Sequence, residues 1–203
     1  MFILYYLKKI YMKHYTGIIN ELLEKRYSPL SFDQKAVEEV KIMRLFEAAR
    51  WAPSSRNEQP WRFIYATRNN KEAFQNMFDC LFEGNKIWAK NVPLLILSVA
   101  KSVSSFNGKP NPYALHDTGM AVGNMLVQAT DMGLVVHQMG GYDKEMARKN
   151  LCIPEEYEPV AMIAVGYLGK TDDLPEDLKK REKAERKRMQ LDEITFKKSW
   201  KGV

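Results

Sequence analysis

The sequence has few of the residues that build metal centres, disulfide frameworks or nucleophilic catalytic sites. Its 203 residues include two cysteines and three histidines. Cys80 and Cys152 lack the spacing of metal ligands, so each is interpreted as a small buried hydrophobe, which favours a reducing, cytoplasmic compartment. No nucleophile with its base and no close pair of acids is evident, and His137 is interpreted as structural. The sequence therefore predicts no metal site.

Long apolar runs are also missing. A helix that crosses a membrane needs about 20 apolar residues, whereas the run that opens the sequence, MFILYYL, has seven and is followed by basic residues. A signal peptide has the opposite order, with its charge first and a small-residue cleavage site at its end. Residues 1–14 are therefore predicted to be a disordered or docking extension, with Met12 as an alternative start. A membrane anchor is the competing interpretation.

Acidic residues are in deficit, since 31 Lys and Arg against 25 Asp and Glu give a formal charge of +6. Seven of the ten residues from 179 to 188 are Lys or Arg, so the excess is confined to the C-terminal tail. Such a local excess does not make a general nucleic-acid-binding surface, and no nucleic-acid partner is expected. Length and an apolar content of 45% predict one domain over residues 15–203, with its tail from residue 170 on the surface.

Helical and strand patterns alternate along this domain. The alternation predicts a mixed α and β class, with a central sheet on which helices pack. Asp33, Asp117 or Thr118, and Asp143 are expected to cap helices, and Gly133 to end one. Helices are predicted at about 15–26, from Asp33 to before Pro53, at 71–82, at 116–133 and after Asp143, and strands at 61–66, 92–100, 134–139 and 160–169.

Three separate polar segments are candidates for ligand binding. The segment of Arg26, Tyr27 and Ser28 offers a guanidinium that can grip a phosphate with two parallel hydrogen bonds. Arg26 can equally be a charge that interacts with the end of a helix. Late basic residues in the segment ERKRMQLDEI can add phosphate neutralisation, or form a solvated basic helix.

The second segment lies between a helix and a strand and contains Pro53, Ser54, Ser55 and Asn57. It can be a wall that holds a flat polar ligand, or a rigid turn whose Ser and Asn side chains cap themselves. The third segment contains Gly140 and Gly141 after a short strand. Without Cβ atoms, their backbone N–H groups can approach an electron-accepting ring, although a plain tight turn has the same pattern.

In order and spacing, these segments resemble the nitroreductase family of flavin enzymes. The resemblance covers about residues 15–195, and its most specific part is the pattern A-P-S-S-x-N-x-Q-P-W. It implies an α+β fold: a three-layer α/β sandwich with a central mixed sheet and helices on both faces. It also implies an intertwined homodimer with two FMN molecules in the interface. The segments that carry it are RYSPLSF, ARWAPSSRNEQPWRFIYA, DTGMAVGNMLVQATDMGLVVHQMGGYD, AVGYLG and RKRMQLDEI.

The resemblance also implies which residues bind FMN. They are Arg26, Tyr27, Ser28, Arg186 and Arg188 around the phosphate; Asn85 near the ribityl chain; Gln138, Met139, Gly140 and Gly141 facing the ring; and Pro53, Ser54, Ser55 and Asn57 from the partner chain. One position departs from the family pattern. Leu30 stands where many members have a Lys or Arg, whose charge would stabilise reduced flavin, so a lower flavin potential is expected.

The implied function is an FMN-dependent oxidoreductase that needs no acid or base from a side chain, because the flavin carries the chemistry. Hydride would pass from NAD(P)H to flavin N5 and then, by a ping-pong route, to small electron-poor acceptors such as nitro compounds or quinones. Two alternatives stay open. One is the same fold with reductive dehalogenation or flavin breakdown, and the other is a flavin-binding or interaction protein without turnover.

Overall fold

The computed structural model describes residues 19–200, so the extension predicted over 1–14 lies outside the described residues. A four-stranded sheet forms the centre, in the order β1-β2-β4-β3. Its strands are β1 (Trp61–Thr67), β2 (Leu94–Lys101), β3 (Val135–Met139) and β4 (Tyr157–Gly166). The helices of the described residues are α1 (Glu21–Lys25), α2 (Glu39–Arg50), α3 (Lys71–Phe78), α4 (Glu83–Ala89), α5 (Ala114–Asp131), α6 (Lys144–Asn150), α7 (Glu176–Glu182) and α8 (Leu191–Ile194), with short 3₁₀ turns at Ser55–Asn57 and Thr171–Asp173.

Helices cover both faces of the sheet, which confirms the predicted three layers. Successive residues of β2 point to opposite faces, and seven of its eight residues are buried. Leu94 and Ile96 pack in the cluster with residues of α2 and α5, whereas Leu95 and Leu97 pack in the cluster with residues of α3, α4, α6 and α7. The continuous apolar run of this strand follows from burial on both sides.

The strand directions differ from the mixed sheet that was predicted. Within the described residues, all three pairs of neighbouring strands are antiparallel. The long helix α5 links β2 to β3, and these two strands run in the same direction. Strand β4 lies between them and is antiparallel to both. The alternation of helices and strands predicted all four strands, but it missed α4 and α7, and it does not determine which strand inserts between two others.

Several predicted helix ends are confirmed and others are wrong. Gly133 follows α5 with a φ of 71°, the left-handed conformation that favours glycine at a helix end. The side chain of Asp143 accepts a hydrogen bond from the Met146 amide and caps α6. Asp33, however, accepts from the amide of Lys35 in a turn of its own, and α2 begins at Glu39.

The prediction for the start of α5 is also wrong. This helix begins at Ala114, so Asp117 and Thr118 lie inside its first turns and are buried. The first predicted helix ends where expected, since α1 spans Glu21–Lys25, while residues 15–18 lie outside the described residues. No helix in the described part of the chain combines the length and the apolar character needed to cross a membrane.

Candidate functional site

The arginines predicted to bind a phosphate lie near one another, although they come from opposite ends of the chain. Arg26 follows α1, and Arg186 donates a hydrogen bond from Nη2 to the carbonyl of Glu24 at 2.7 Å. The pKa of the Arg26 guanidinium is lowered, first by burial and then by the positive charges of Arg188 and Arg186. Positive charges that lie close together repel one another, which disfavours the charged form of each group. A bound anion would relieve that repulsion, so the cluster fits a phosphate.

The C-terminal tail reaches this cluster because Glu182, at the end of α7, binds the loop after Arg26. Its carboxylate accepts hydrogen bonds from the amide of Leu30 at 2.6 Å and the hydroxyl of Ser31 at 2.9 Å. Leu178 on the same helix is buried in the core. The expectation that the whole tail lies on the surface is therefore wrong for α7, because its apolar side and its last carboxylate both dock on the domain.

The residues next to Arg26 differ in exposure. Tyr27 is half-buried, and the pKa of its phenol is raised by burial and by the negative charge of Glu182, while Arg186 opposes the shift. Ser28 is exposed. The side chain of Leu30 is buried in the core, so this position presents an apolar group to the interior and no cation to a ligand.

His137 on β3 connects the arginine cluster to the glycine turn. Its Nδ1 lies 2.8 Å from the carbonyl oxygen of Pro29, which can only accept, so this nitrogen carries the proton. The imidazole packs on Trp88 with ring centroids 4.7 Å apart. Burial lowers its pKa, which favours the neutral ring. As interpreted from the sequence, this histidine has a structural role.

The turn after β3 is held by the start of α4. Asn85 donates from Nδ2 to the carbonyl of Gly141 at 2.9 Å, and the Phe82 amide donates to the same oxygen at 3.0 Å. A Cβ on Gly141 would lie 2.7 Å from that Nδ2 atom, whereas one on Gly140 would meet nothing within 4 Å. The glycine is needed at 141 for close packing, and the surface beside 140 is open.

Backbone groups of this turn remain available to a ligand. Within residues 19–200, the amides of Gly140 and Gly141 donate no hydrogen bond. Gln138 is exposed on the last part of β3, while the side chain of Met139 is buried. Only the backbone of Met139 can therefore contact a ligand.

The segment from Pro53 to Gln59 adopts a fixed and locally strained conformation. The hydroxyl of Ser54 accepts a hydrogen bond from the Gln59 amide at 3.0 Å, and the Ser55 amide donates to Asp117 Oδ2 at 2.9 Å. Arg56, Asn57 and Gln59 have φ values of 52°, 55° and 46°, respectively. Positive φ costs a non-glycine residue on the order of 1–3 kcal/mol, so these contacts must stabilise the loop against relaxation.

A single chain does not bring all the predicted site residues together. The segment with Pro53, Ser54, Ser55 and Asn57 leads into β1 at one edge of the sheet. The glycine turn follows β3 at the other edge. Strands β2 and β4 lie between them, and three strand spacings of about 4.8 Å separate β1 from β3 by roughly 14 Å.

Sequence reasoning did not identify the roles of three acidic residues that position loops: Glu58, which binds Ser104 and Ser105, Asp117 and Glu182. Each binds a loop far away in the chain, so neither helical nor strand periodicity indicates its role. For Asp117 one signal was available. A carboxylate among the small and apolar residues of α5 needs a partner when buried, and here the partner is the Ser55 amide.

Comparison with known proteins identifies the family of the chain. The model of the nitroreductase family matches residues 23–167. A curated relative from Bacillus subtilis, "Putative NAD(P)H nitroreductase YfhC", is 24% identical over 184 residues, which cover 83% of this chain and 91% of the relative.

Two solved structures extend the agreement to the fold. A crystal structure described as an "oxidoreductase containing FMN" is 32% identical and superposes with a TM-score of 0.86, covering 91% of this chain and 94% of the other. A nitroreductase family protein from Clostridium difficile is 28% identical with a TM-score of 0.70, covering 90% of this chain and 100% of the other.

Proposed function

This chain belongs to the nitroreductase family, and on that premise we propose that it is an FMN-dependent oxidoreductase. It would take reducing equivalents from NAD(P)H and deliver them to small electron-poor acceptors such as nitro compounds or quinones. The observation that carries the proposal is the convergence of Arg26, Arg186 and Arg188 from opposite ends of the chain, with Arg186 donating to the Glu24 carbonyl at the end of α1. Burial, and then the charges of Arg188 and Arg186, lower the pKa of Arg26. That cluster is linked through Pro29 and His137 to a glycine turn with unused amides.

The residues near the β3 edge of the sheet would each bind a different part of FMN. The three guanidiniums would bind the phosphate, with the Ser28 hydroxyl beside them, and charge-assisted hydrogen bonds of this type are the strong ones. Asn85 and the backbone at 138–141 would face the remainder of the molecule. Bound FMN would supply the electron transfer in a ping-pong sequence, in which donor and acceptor use the same open face in turn. The protein would orient both partners and exclude water from the contact.

The segment from Pro53 to Asn57 would complete the site from a second copy of the chain. Its position at the opposite sheet edge supports a homodimer with FMN at the interface, because one copy separates the two halves of the predicted site. A surface suited to such an interface exists on the outer sides of α2 and α5, where Val40, Met43, Trp51 and Met120 are exposed. Large apolar side chains left exposed on two helices that pack together are a feature of protein interfaces.

The names of the relatives support the choice of partners. The Bacillus subtilis relative is described with NAD(P)H as its donor, and the structure with the TM-score of 0.86 is described as containing FMN. We therefore propose NADH or NADPH as the donor of this protein and FMN as its cofactor. The cytoplasm, where both nicotinamide cofactors occur, is the proposed compartment.

Anaerobic reduction tests this function. The purified protein, saturated with FMN, is mixed with NADH or NADPH under argon while the flavin absorbance is followed. We expect rapid bleaching with at least one donor, and recovery of the colour on addition of a quinone or nitro compound. Sedimentation should give the mass of a dimer. A protein that holds FMN but is not bleached faster than free FMN would be a binding protein without turnover.

Leu30 favours a second candidate chemistry on the same fold. Its buried side chain supplies no cation to stabilise negative charge on the cofactor, so the bound flavin is expected to have a lower potential. Reductive dehalogenation or flavin breakdown would then be the reaction. Halogenated aromatics offered as acceptors, and free reduced flavin offered together with dioxygen as a substrate for oxidative breakdown, distinguish these reactions from quinone and nitro reduction.

A further inference from the structure

A pocket of about 130 Å³ lies beside the segment predicted to contact the cofactor. It is formed between that segment and the loop 102–113. Its lining includes Ser55, Arg56, Phe106 and Tyr113. Phe106 and Tyr113 are 70% and 55% exposed, so two aromatic side chains stand at the mouth of the pocket with little covering them.

One carboxylate fixes the two walls of this pocket to each other. Glu58 accepts hydrogen bonds from the hydroxyl of Ser104, the amide of Ser105 at 2.9 Å and the amide of Phe106 at 3.2 Å. These donors lower the pKa of Glu58, so it stays ionised. Both carboxylate oxygens accept hydrogen bonds from the loop, so the two sides of the pocket are held in a fixed arrangement.

The opposite loop is ordered by its own hydrogen bonds. The Ser104 amide donates to the Lys109 carbonyl at 2.8 Å, and the Tyr113 amide donates to Asn111 Oδ1 at 3.0 Å. Val103 and Pro110 form a β-bridge across the loop. Phe106 therefore lies in an ordered loop, and its ring has a defined position beside the pocket.

The Arg56 guanidinium is the unmatched charge of this pocket. It lies 4.7 Å from the centroid of the Phe106 ring. Among residues 19–200, no carboxylate forms an ion pair with it. The pocket lining contains two charged side chains, Arg56 and Glu58. The carboxylate of Glu58 accepts hydrogen bonds from the loop, which leaves the guanidinium of Arg56 as the charged group that can donate to a ligand.

We propose that Arg56 makes this pocket selective for flat aromatic acceptors that carry an anionic substituent such as a carboxylate. A guanidinium pairs with a carboxylate through two parallel hydrogen bonds, and the exposed rings of Phe106 and Tyr113 offer surfaces to an aromatic body. This substrate class rests on the proposed function. The location of Arg56, next to Ser55 in the predicted cofactor segment, places the recognised anion at the edge of the reaction site.

Two matched acceptors test the selectivity. Steady-state reduction of 4-nitrobenzoate and of its neutral methyl ester is compared for the wild type, Arg56→Gln and Lys109→Gln. Gln keeps an unbranched side chain at the positive φ of residue 56, and Lys109 carries a charge in the same loop outside the pocket lining. Arg56→Gln should raise KM for 4-nitrobenzoate by up to about fivefold, the loss of an exposed ion pair worth up to about 1 kcal/mol. KM for the ester and the values for Lys109→Gln should stay within twofold.

A binding measurement with compounds that are not reduced tests this proposal independently of the proposed function. Benzoate and benzamide are titrated calorimetrically into the FMN-saturated wild type and Arg56→Gln. We expect benzoate to bind more tightly than benzamide, and the preference to disappear in the variant and weaken with added salt. Benzoate preference without flavin reduction would overturn the proposed reaction but leave the anion site. Three results would overturn the role of Arg56 in acceptor choice. The first is equal affinity of the wild type for benzoate and benzamide, and the second is an equal rise of KM for 4-nitrobenzoate and its ester in Arg56→Gln. The third is a change in Arg56→Gln that is confined to KM for NADPH.

Discussion

The buried carboxylate of Asp117 accepts a hydrogen bond from the backbone amide of Ser55 at 2.9 Å. Its other oxygen lies 3.0 Å from Nδ1 of His116. Ser55 immediately precedes Arg56 and Asn57, which both have positive φ. Asp117 thus fixes the strained segment to α5, and it does so with a charged acceptor, whose hydrogen bonds are stronger than neutral ones.

Removing this acceptor should loosen the segment. We expect Asp117→Ala to lower the free energy of unfolding by about 1–3 kcal/mol, because the half-buried Ser55 amide loses its partner. Asp117→Asn retains an oxygen that can accept and should cost less. Urea unfolding of both variants measures the difference, and FMN titration shows whether the loosened segment also weakens the cofactor. Equal losses for Ala and Asn would mean that the hydrogen bond to Ser55 is not what stabilises the segment.

The sequence predicted the four strands of this fold and the helices with a clear apolar pattern, because these depend on local pattern, but it missed α4 and α7. The apolar run of β2 follows from burial on both faces. Gly133 and Asp143 were identified from the conformations and hydrogen bonds that helix ends require, and both act as expected. Asp33 and Asp117 have the same local chemistry as Asp143. The sequence does not distinguish them, since Asp33 closes a turn of its own and Asp117 binds Ser55.

The arrangement of the candidate site could be predicted only in part. Arg26, Asn85 and Gly141 were each selected from nearby residues or from family likeness. Their relative placement depends on contacts that no local pattern encodes, such as Glu182 with Leu30 and Asn85 with Gly141. The separation of the two halves by β2 and β4 likewise follows from strand order, which alternation of helices and strands leaves open.

The arginine cluster should recognise the phosphate and not the ring system. Arg26→Ala is expected to weaken FMN binding about 10- to 100-fold, the loss of a charged hydrogen-bonded contact worth about 1.5–3 kcal/mol. Riboflavin lacks the phosphate and serves as the internal control, so its affinity should change little. Fluorescence titration of wild type and variant with both flavins gives the comparison. Unchanged FMN affinity, or a parallel loss for riboflavin, would place the phosphate elsewhere.

The two neighbouring glycines should respond differently to a methyl group. Gly141→Ala puts a Cβ 2.7 Å from Asn85 Nδ2, so the Asn85 side chain must move and its hydrogen bond to residue 141 is lost. We expect a cost of about 1 kcal/mol and weaker FMN binding. Gly140→Ala is the matched control for stability, because nothing lies within 4 Å of its added Cβ. Thermal unfolding compares the two, and equal stability would show that Asn85 adjusts without loss.

His137 should make the stability of the domain fall in mild acid. Burial is the largest cause of its lowered pKa, and the charge of Arg181 acts in the same direction. The unfolded chain therefore takes up the proton first, near the ordinary value of about 6.5. Stability is fully present above that pH and is lost as the pH falls from there towards the lower pKa of the folded state. His137→Gln retains a donor for the Pro29 carbonyl but does not titrate, so its free energy of unfolding should depend less on pH between about 7 and 5. His116→Gln, which removes a largely exposed ring, is the control. Urea unfolding at several pH values measures both, and a slope in His137→Gln as steep as in the wild type would assign the acid sensitivity to other groups.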